Sequence, residues 1–214
     1  VERKSEHNLR LIERFSGKTN GKDKYISPSA INMWLNCRMK FYYRYVCGLE
    51  EKEKIQEEID PAKLGTMLHS AIRTLYDKYR GRVLNCSELE GLLKNRNQLD
   101  TLIRSTIRDN SGGTCNPVFA GNEMIVRDVL MVFLSRVLLF DIDFAPLTIL
   151  SFEEAFGFPV TIKTEEGNII LKAGGKIDRV DIKDGVTRII DYKTGNAADS
   201  INSVGQLFVD DRDK

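Results

Sequence analysis

Apolar residues fall into two rhythms along this chain. Up to Phe140 they recur three and four apart, the spacing of one helix face; from Thr148 onward they sit in short strand-like stretches. The first helix opens at Ser27-Pro28, with Ser27 as N-cap and Pro28 at the first helical position. Ile31, Trp34, Leu35, Met39, Tyr42 and Tyr43 give it a broad apolar face, and it should end near Gly48. A second helix starts at Asp60-Pro61 and stops at Gly81, with Leu64, Leu68, Ile72 and Leu75 as its buried stripe. Ser87-x-x-Glu90 reads as a capping box, opening a third helix to about Asp109 through Leu89, Leu92, Leu93, Leu99, Leu102, Ile103 and Ile107. A fourth fits Asn122 to Phe140, with Met124, Val129, Val132, Phe133, Val137 and Leu138. It is apolar on most sides, which predicts burial. Both later helices read as scaffold.

The strand region starts at Thr148 to Val160. Thr161 to Leu171 is a hairpin candidate turning at Glu165-Glu166-Gly167-Asn168. Next come Lys172 to Lys183 and Val186 to Lys193, joined by Asp184-Gly185, a strong signal for a two-residue turn. That turn fixes a register. Lys183 faces Val186, Val180 faces Ile189, and Asp178 faces Asp191. Two carboxylates directly opposite each other repel. Val180, Ile182 and Ile189 on the same face are apolar, so the pair should be partly desolvated, and a cation between the acids is the simplest remedy. Lys193 lies two residues beyond Asp191 and shares its face. Two acids and a lysine on one spot is a layout for metal-assisted phosphodiester cleavage. Asp181 and Arg179 point to the opposite face and read as structural.

The chain has 214 residues, enough for one domain with a sizeable core, and a net charge of +1. Residues 1–24 read as a polar extension or linker, and 25–214 as the folded domain. No global basic field draws in a polyanion, so nucleic-acid contact must come from local patches. Arg38, Lys40 and Arg44, interleaved with aromatics on the first helix, are the candidate patch, although a core helix with a solvated basic edge is the plainer reading. No apolar run is long enough to span a membrane. The four cysteines, Cys37, Cys47, Cys86 and Cys115, show no C-x-x-C spacing, which points to a reducing cytoplasm. There is no G-x-x-x-x-G-K-[ST] loop for ATP, no nucleophile elbow, and too few histidines and paired cysteines for structural zinc.

Asp178 followed by Asp191-Tyr192-Lys193, within GKIDRVD and IIDYKTG, resembles the signature of the PD-(D/E)XK nucleases, in particular their RecB/AddB-type branch. SPSAINMWLNCRMKFYYRYVCGL, Ser27 to Leu49, and GTMLHSAIRTLY, Gly65 to Tyr76, are similar to two upstream words of that branch. The resemblance implies an α/β, restriction-endonuclease-like fold: a small mixed sheet with an antiparallel catalytic hairpin, flanked by helices. It implies a Mg²⁺- or Mn²⁺-dependent DNA exonuclease domain of a recombination-repair protein, taking single-stranded ends from a helicase partner. The metal ligands would be His69, Asp178, Asp191 and the backbone carbonyl of Tyr192, with Lys193 catalytic beside the two acids. Glu154 resembles a further acid of the branch, but reads equally well as a surface acid or a partner of Arg179. Gln206 lacks the tyrosine that usually follows four residues later, so either it is unrelated to that element or, as expected here, the element lies beyond Lys214. Cys37 resembles the first of four cluster cysteines in some relatives. The other three are missing, so no iron–sulfur cluster is expected. Two alternatives stay open: an inactive DNA-binding or scaffold domain with the same fold, and a free-standing CRISPR- or phage-type exonuclease.

Overall fold

The computed structural model describes Phe15 and residues 25–49, 61–110, 117–164 and 167–195. The rest of the 1–24 extension, the acidic connection through Asp60, the Gly112-Gly113 loop with Cys115, Glu165-Glu166 and the stretch holding Gln206 lie outside the described residues. The chain divides into two compact units. One comprises Val1–Glu53, Ala155–Lys176 and Ala198–Lys214; the other comprises Lys54–Glu154 and Ile177–Ala197.

In the first unit Ser27 caps α1 (Pro28–Asn36), its Oγ accepting from the Ala30 amide at 3.2 Å. The expected single helix does not continue. Cys37 adopts an extended conformation, and its Sγ accepts from the Lys40 amide, opening a separate α2 (Arg38–Phe41). A π-helical turn, Tyr42–Val46, follows and ends at Gly48, whose φ is +71°. The expected apolar face is not the buried one, either before the break or after it. Ile31, Trp34, Leu35, Met39 and Tyr43 are exposed. Ala30, Phe41 and Phe15 are buried instead, packed by Ile26, Met33, Tyr45 and Leu171. Ile26 also bridges in parallel to Ala173, donating to the Lys172 carbonyl at 2.8 Å and accepting from the Gly174 amide at 3.1 Å.

The second unit holds the larger core. Its α3 (Pro61–Tyr76) buries Leu68, Ile72 and Leu75 as expected, and also Met67, Ala71 and Tyr76. Strand β1 (Val83–Leu84) follows a turn at Gly81. The capping box lies earlier than Ser87: Asn85 precedes α4 (Cys86–Lys94), and its amide donates to Glu88 at 3.1 Å. Glu90 instead pairs with Lys94. The long third helix is interrupted at Asn95, whose Oδ1 accepts from the Gln98 amide at 3.2 Å and so starts α5 (Arg96–Asn110). An asparagine side chain competes for backbone donors, which suits a cap better than a helix interior. Leu89, Leu92, Leu99, Ile103 and Ile107 still reach one core because both pieces keep their apolar faces inward.

Helix α6 (Pro117–Phe144) is longer than expected and buried on one face only. Val126, Leu130, Leu134, Leu138 and Asp141 form that face, whereas Met124, Val132, Leu139 and Phe140 are exposed. Four strands form one sheet in the order β1, β2 (Leu147–Thr164), β3 (Gly167–Lys183), β4 (Val186–Ile190), flanked by helices. The β1/β2 and β3/β4 pairs are antiparallel; among the described residues, parallel pairing is confined to the Ile26 bridge. The last hairpin has the expected register, with Lys183 opposite Val186 and Val180 opposite Ile189. Its turn has φ of +51° at Asp184 and +76° at Gly185, the two left-handed positions of a type I′ turn.

Gly185→Ala should therefore lower stability by about 1 kcal/mol through backbone strain alone, because nothing lies within 4 Å of the added methyl. Gly174→Ala should cost clearly more, since its Cβ would overlap the carbonyl oxygen of Phe156. Urea unfolding of the two variants reads that order, and equal midpoints would contradict it.

Candidate active site

Strand β3 presents alternate residues to two surfaces, and its two rows do different things. Asp178 lies on one, with its side chain 14% exposed. Arg179 and Asp181 lie on the other, fully buried.

A charged guanidinium out of water needs matched acceptors. Arg179 finds them in Asp141 of α6, at 2.7 and 2.9 Å, and in Asp181, at 2.6 Å. Arg188 of β4 closes the set, donating to both oxygens of Asp181 at 2.7 and 2.8 Å. Tyr76 of α3 donates its hydroxyl to Asp141 at 2.6 Å, and its ring lies 5.4 Å from the Arg179 guanidinium. Two arginines thus balance two aspartates. Burial opposes the Arg179 charge, but the Asp141 hydrogen bond and the neighbouring negative groups outweigh it and hold the guanidinium protonated. Burial, reinforced by Asp141, raises the Tyr76 phenol well above its usual range. Arg179 is therefore structural, and its partners are these acids rather than the exposed Glu154. Glu153 pairs with Arg73 at 3.2 Å.

The other surface carries the candidate chemistry. Strand β4 ends at Ile190, so Asp191, Tyr192 and Lys193 leave the ladder. The Tyr192 amide donates to the Asp178 carboxylate at 2.8 Å. Its carbonyl faces His69 Nε2 at 3.1 Å, and His69 Nδ1 faces Asp178 Oδ1 at 3.4 Å. An imidazole, a carboxylate and a carbonyl thus converge from α3, β3 and the chain after β4. Asp191 and Lys193 stand apart as an exposed pair, 2.6 Å between charged atoms. Among the described residues, no three His, Cys, Asp or Glu side chains gather closely enough to hold a metal ion. Ile189, expected to dry the acids, is 70% exposed. Gly65 sits one turn before His69, and a Cβ there would make only ordinary contact with Thr194 Oγ1 at 3.5 Å. Space for the backbone therefore does not explain that glycine. In the first unit Arg38, Lys40 and Arg44 are exposed, with Arg38 lying over the Trp34 ring at 5.4 Å.

His69, Asp178 and the Tyr192 carbonyl are donors of the types a divalent cation takes, one imidazole and two oxygens. A neutral imidazole has one N–H and one lone pair, yet both nitrogens of His69 face oxygen acceptors. With a single N–H the ring can donate to only one of these oxygens, so the other nitrogen–oxygen pair is left mismatched. Oxygen-rich ligation with one imidazole suits Mg²⁺ and, better, Mn²⁺. Asp141 and Tyr76 were missed as members of the surrounding network. The available signal was Arg179 itself, a charge in a row bound for the core.

A β-hairpin carrying one acid on its first strand and an acid and a lysine just past its second, within a helix-flanked sheet, matches the order of the PD-(D/E)XK signature. The chain matches the sequence profile of the PD-(D/E)XK nuclease superfamily over residues 25–209 and belongs to that superfamily. Its likeness within it is to RecB/AddB-type proteins. It is 28% identical over 192 residues to the B subunit of the ATP-dependent helicase/deoxyribonuclease of Carboxydothermus hydrogenoformans, covering 85% of this chain and 17% of the relative. The protein of the same description from Clostridium tetani is likewise 28% identical, over 195 residues, covering 83% of this chain and 16% of the relative. The chain thus spans about a sixth of the length of these curated relatives. Members of the superfamily generally use divalent metals. No helix among the described residues is long and apolar enough to cross a membrane.

Burial pushes the Tyr192 phenol up to about 12, with Asp141 adding to the shift and Arg179 opposing it. A pKa raised above the unfolded value of 10.0 gives stability that is complete below pH 10 and lost as pH climbs through 12. Two pKa units correspond to about 2–3 kcal/mol. Thermal unfolding from pH 9 to 12 should show a steeper loss in the parent than in Tyr192→Phe; parallel profiles would refute the assignment.

Proposed function

We propose that this chain is the nuclease domain of a RecB/AddB-like recombination-repair protein, hydrolysing DNA phosphodiesters with Mg²⁺ or Mn²⁺. Its substrate would be single-stranded ends delivered by a helicase partner. The observation that carries the reading is the convergence of His69, Asp178 and the Tyr192 carbonyl.

His69, Asp178, Asp191 and the Tyr192 carbonyl would hold the ion. When bound, it supplies Lewis acidity toward the phosphate and acidifies water. Asp178 and His69 place these donors from rigid elements, so little rearrangement is needed at that end of the site. Lys193, 60% exposed, reaches an incoming phosphate on its flexible stem. Its ammonium orients the attacking water and offsets charge growing on the phosphate oxygens as one P–O bond forms and the other breaks. Arg38, Lys40 and Arg44 would serve as contacts to the DNA backbone.

One observation favours a second reading, an inactive DNA-binding or scaffold domain: Asp191 is already paired with Lys193, outside any cluster of ligating side chains among the described residues. Calorimetry with Mn²⁺ on the parent, Asp178→Asn and Asp191→Ala separates the two. The nuclease reading expects binding in the parent and its loss in both variants. It also expects end-labelled single-stranded DNA to be degraded with Mn²⁺ but not with EDTA, and Lys193→Ala to slow cleavage about 100-fold or more. DNA binding that ignores the metal and all three substitutions would make the domain a scaffold.

A further inference from the structure

Tyr192 is held at three points although it lies outside the strand ladder. Its amide is taken by Asp178, its carbonyl faces His69, and its hydroxyl accepts from Arg179 Nη1 at 3.2 Å. The first two contacts are in the candidate site and the third is in the buried charge network. Tyr192 thus joins both surfaces of β3. Its ring also meets the His69 ring edge-on, with centroids 5.8 Å apart.

Arg179 can act as a fixed post. Its Nη atoms are gripped by Asp141 and Asp181, and its buried Nε has no hydrogen-bond partner among the described residues, so those two acids hold most of its orientation. Asp141 in turn is oriented by Tyr76. The post stands one residue from Asp178 on the same strand, so the distance between post and carboxylate is set by β-strand geometry.

We propose that the Asp141–Arg179 pair is a positioning device, acting through the Tyr192 hydroxyl to place the Tyr192 amide and carbonyl and, through them, Asp178 and His69. Arg179 and Asp141 are positioning residues with no contact to substrate. The proposal rests on the metal-site reading above for its consequence in the loaded protein, but not for its effect on the metal-free chain. Outer-shell partners of this kind orient ligands as surely as the ligands bind metal.

The test uses histidine labelled with ¹⁵N. The chain has two histidines, His7 and His69, so the imidazole signals are readily assigned. The comparison is made on the metal-free chain. Tyr192→Phe, which keeps the ring and removes only the hydroxyl, should shift the His69 imidazole resonances while His7 and the far-UV circular dichroism stay unchanged. Mn²⁺ affinity should fall about tenfold. Arg179→Lys should do the same, and the double variant should be no worse than either single one, because both remove one link. If Arg179→Lys fails to fold, Tyr192→Phe decides alone. His69 resonances unmoved in Tyr192→Phe, or Mn²⁺ affinity unmoved in a variant whose parent binds the ion, would overturn the proposal. A parent that binds no Mn²⁺ defeats the metal-site reading instead, and the His69 resonances of the metal-free chain still decide the positioning role.

Discussion

A guanidinium without water around it dictates much of what surrounds it. Arg179 is fully buried, and so are both carboxylates that meet it. Such a set adds little net stability, because desolvation offsets most of the attraction, but leaving one member unmatched costs about 3–5 kcal/mol. The requirement is geometric. Asp141 must come from the last turns of α6, Asp181 from the same strand row, Arg188 from β4 and the Tyr76 hydroxyl from the end of α3. Two helices and a hairpin are thus held in one arrangement by hydrogen bonds with fixed directions. The apolar core around Ile72 could tolerate sliding; that network cannot.

The hairpin was legible from sequence because its determinants are local. Asp184-Gly185 specifies the turn, the turn specifies the register, and the register sets Arg179 opposite Ile190, one step short of Asp178 and Asp191. Helix existence was legible for the same reason, since each apolar repeat needs only its own neighbours. The breaks at Cys37 and Asn95 were not, because a side chain that caps the next helix looks in sequence like one more polar position. The one-sided burial of α6 escaped too. Its apolar residues surround the whole helix, and only packing decides that Leu130 goes in while Val132 stays out.

The candidate residues could be named from sequence, but their arrangement could not. Side-chain alternation placed Asp178, Asp191 and Lys193 together, on the assumption that the strand runs on to Lys193. Because β4 ends at Ile190, Asp191 and Lys193 instead find each other in solvent, while the amide of Tyr192 goes to Asp178. Asp141 gave no warning at all. An acid near the end of an apolar helix reads as a solvated terminus unless its arginine, 38 residues later, is known to be buried.

The two halves of the site differ greatly in how far apart in the chain their members lie. The β3–β4 hairpin closes through a two-residue turn, whereas His69 meets the Tyr192 carbonyl across 123 residues. Contacts between near neighbours form early, and those that close long loops come after the intervening entropy has been lost. During refolding, Asp178 would therefore be in place on a finished hairpin before the imidazole arrives. A partly folded chain carries the Asp178 carboxylate without its imidazole, so the meeting of His69, Asp178 and Tyr192 coincides with completion of the fold around it.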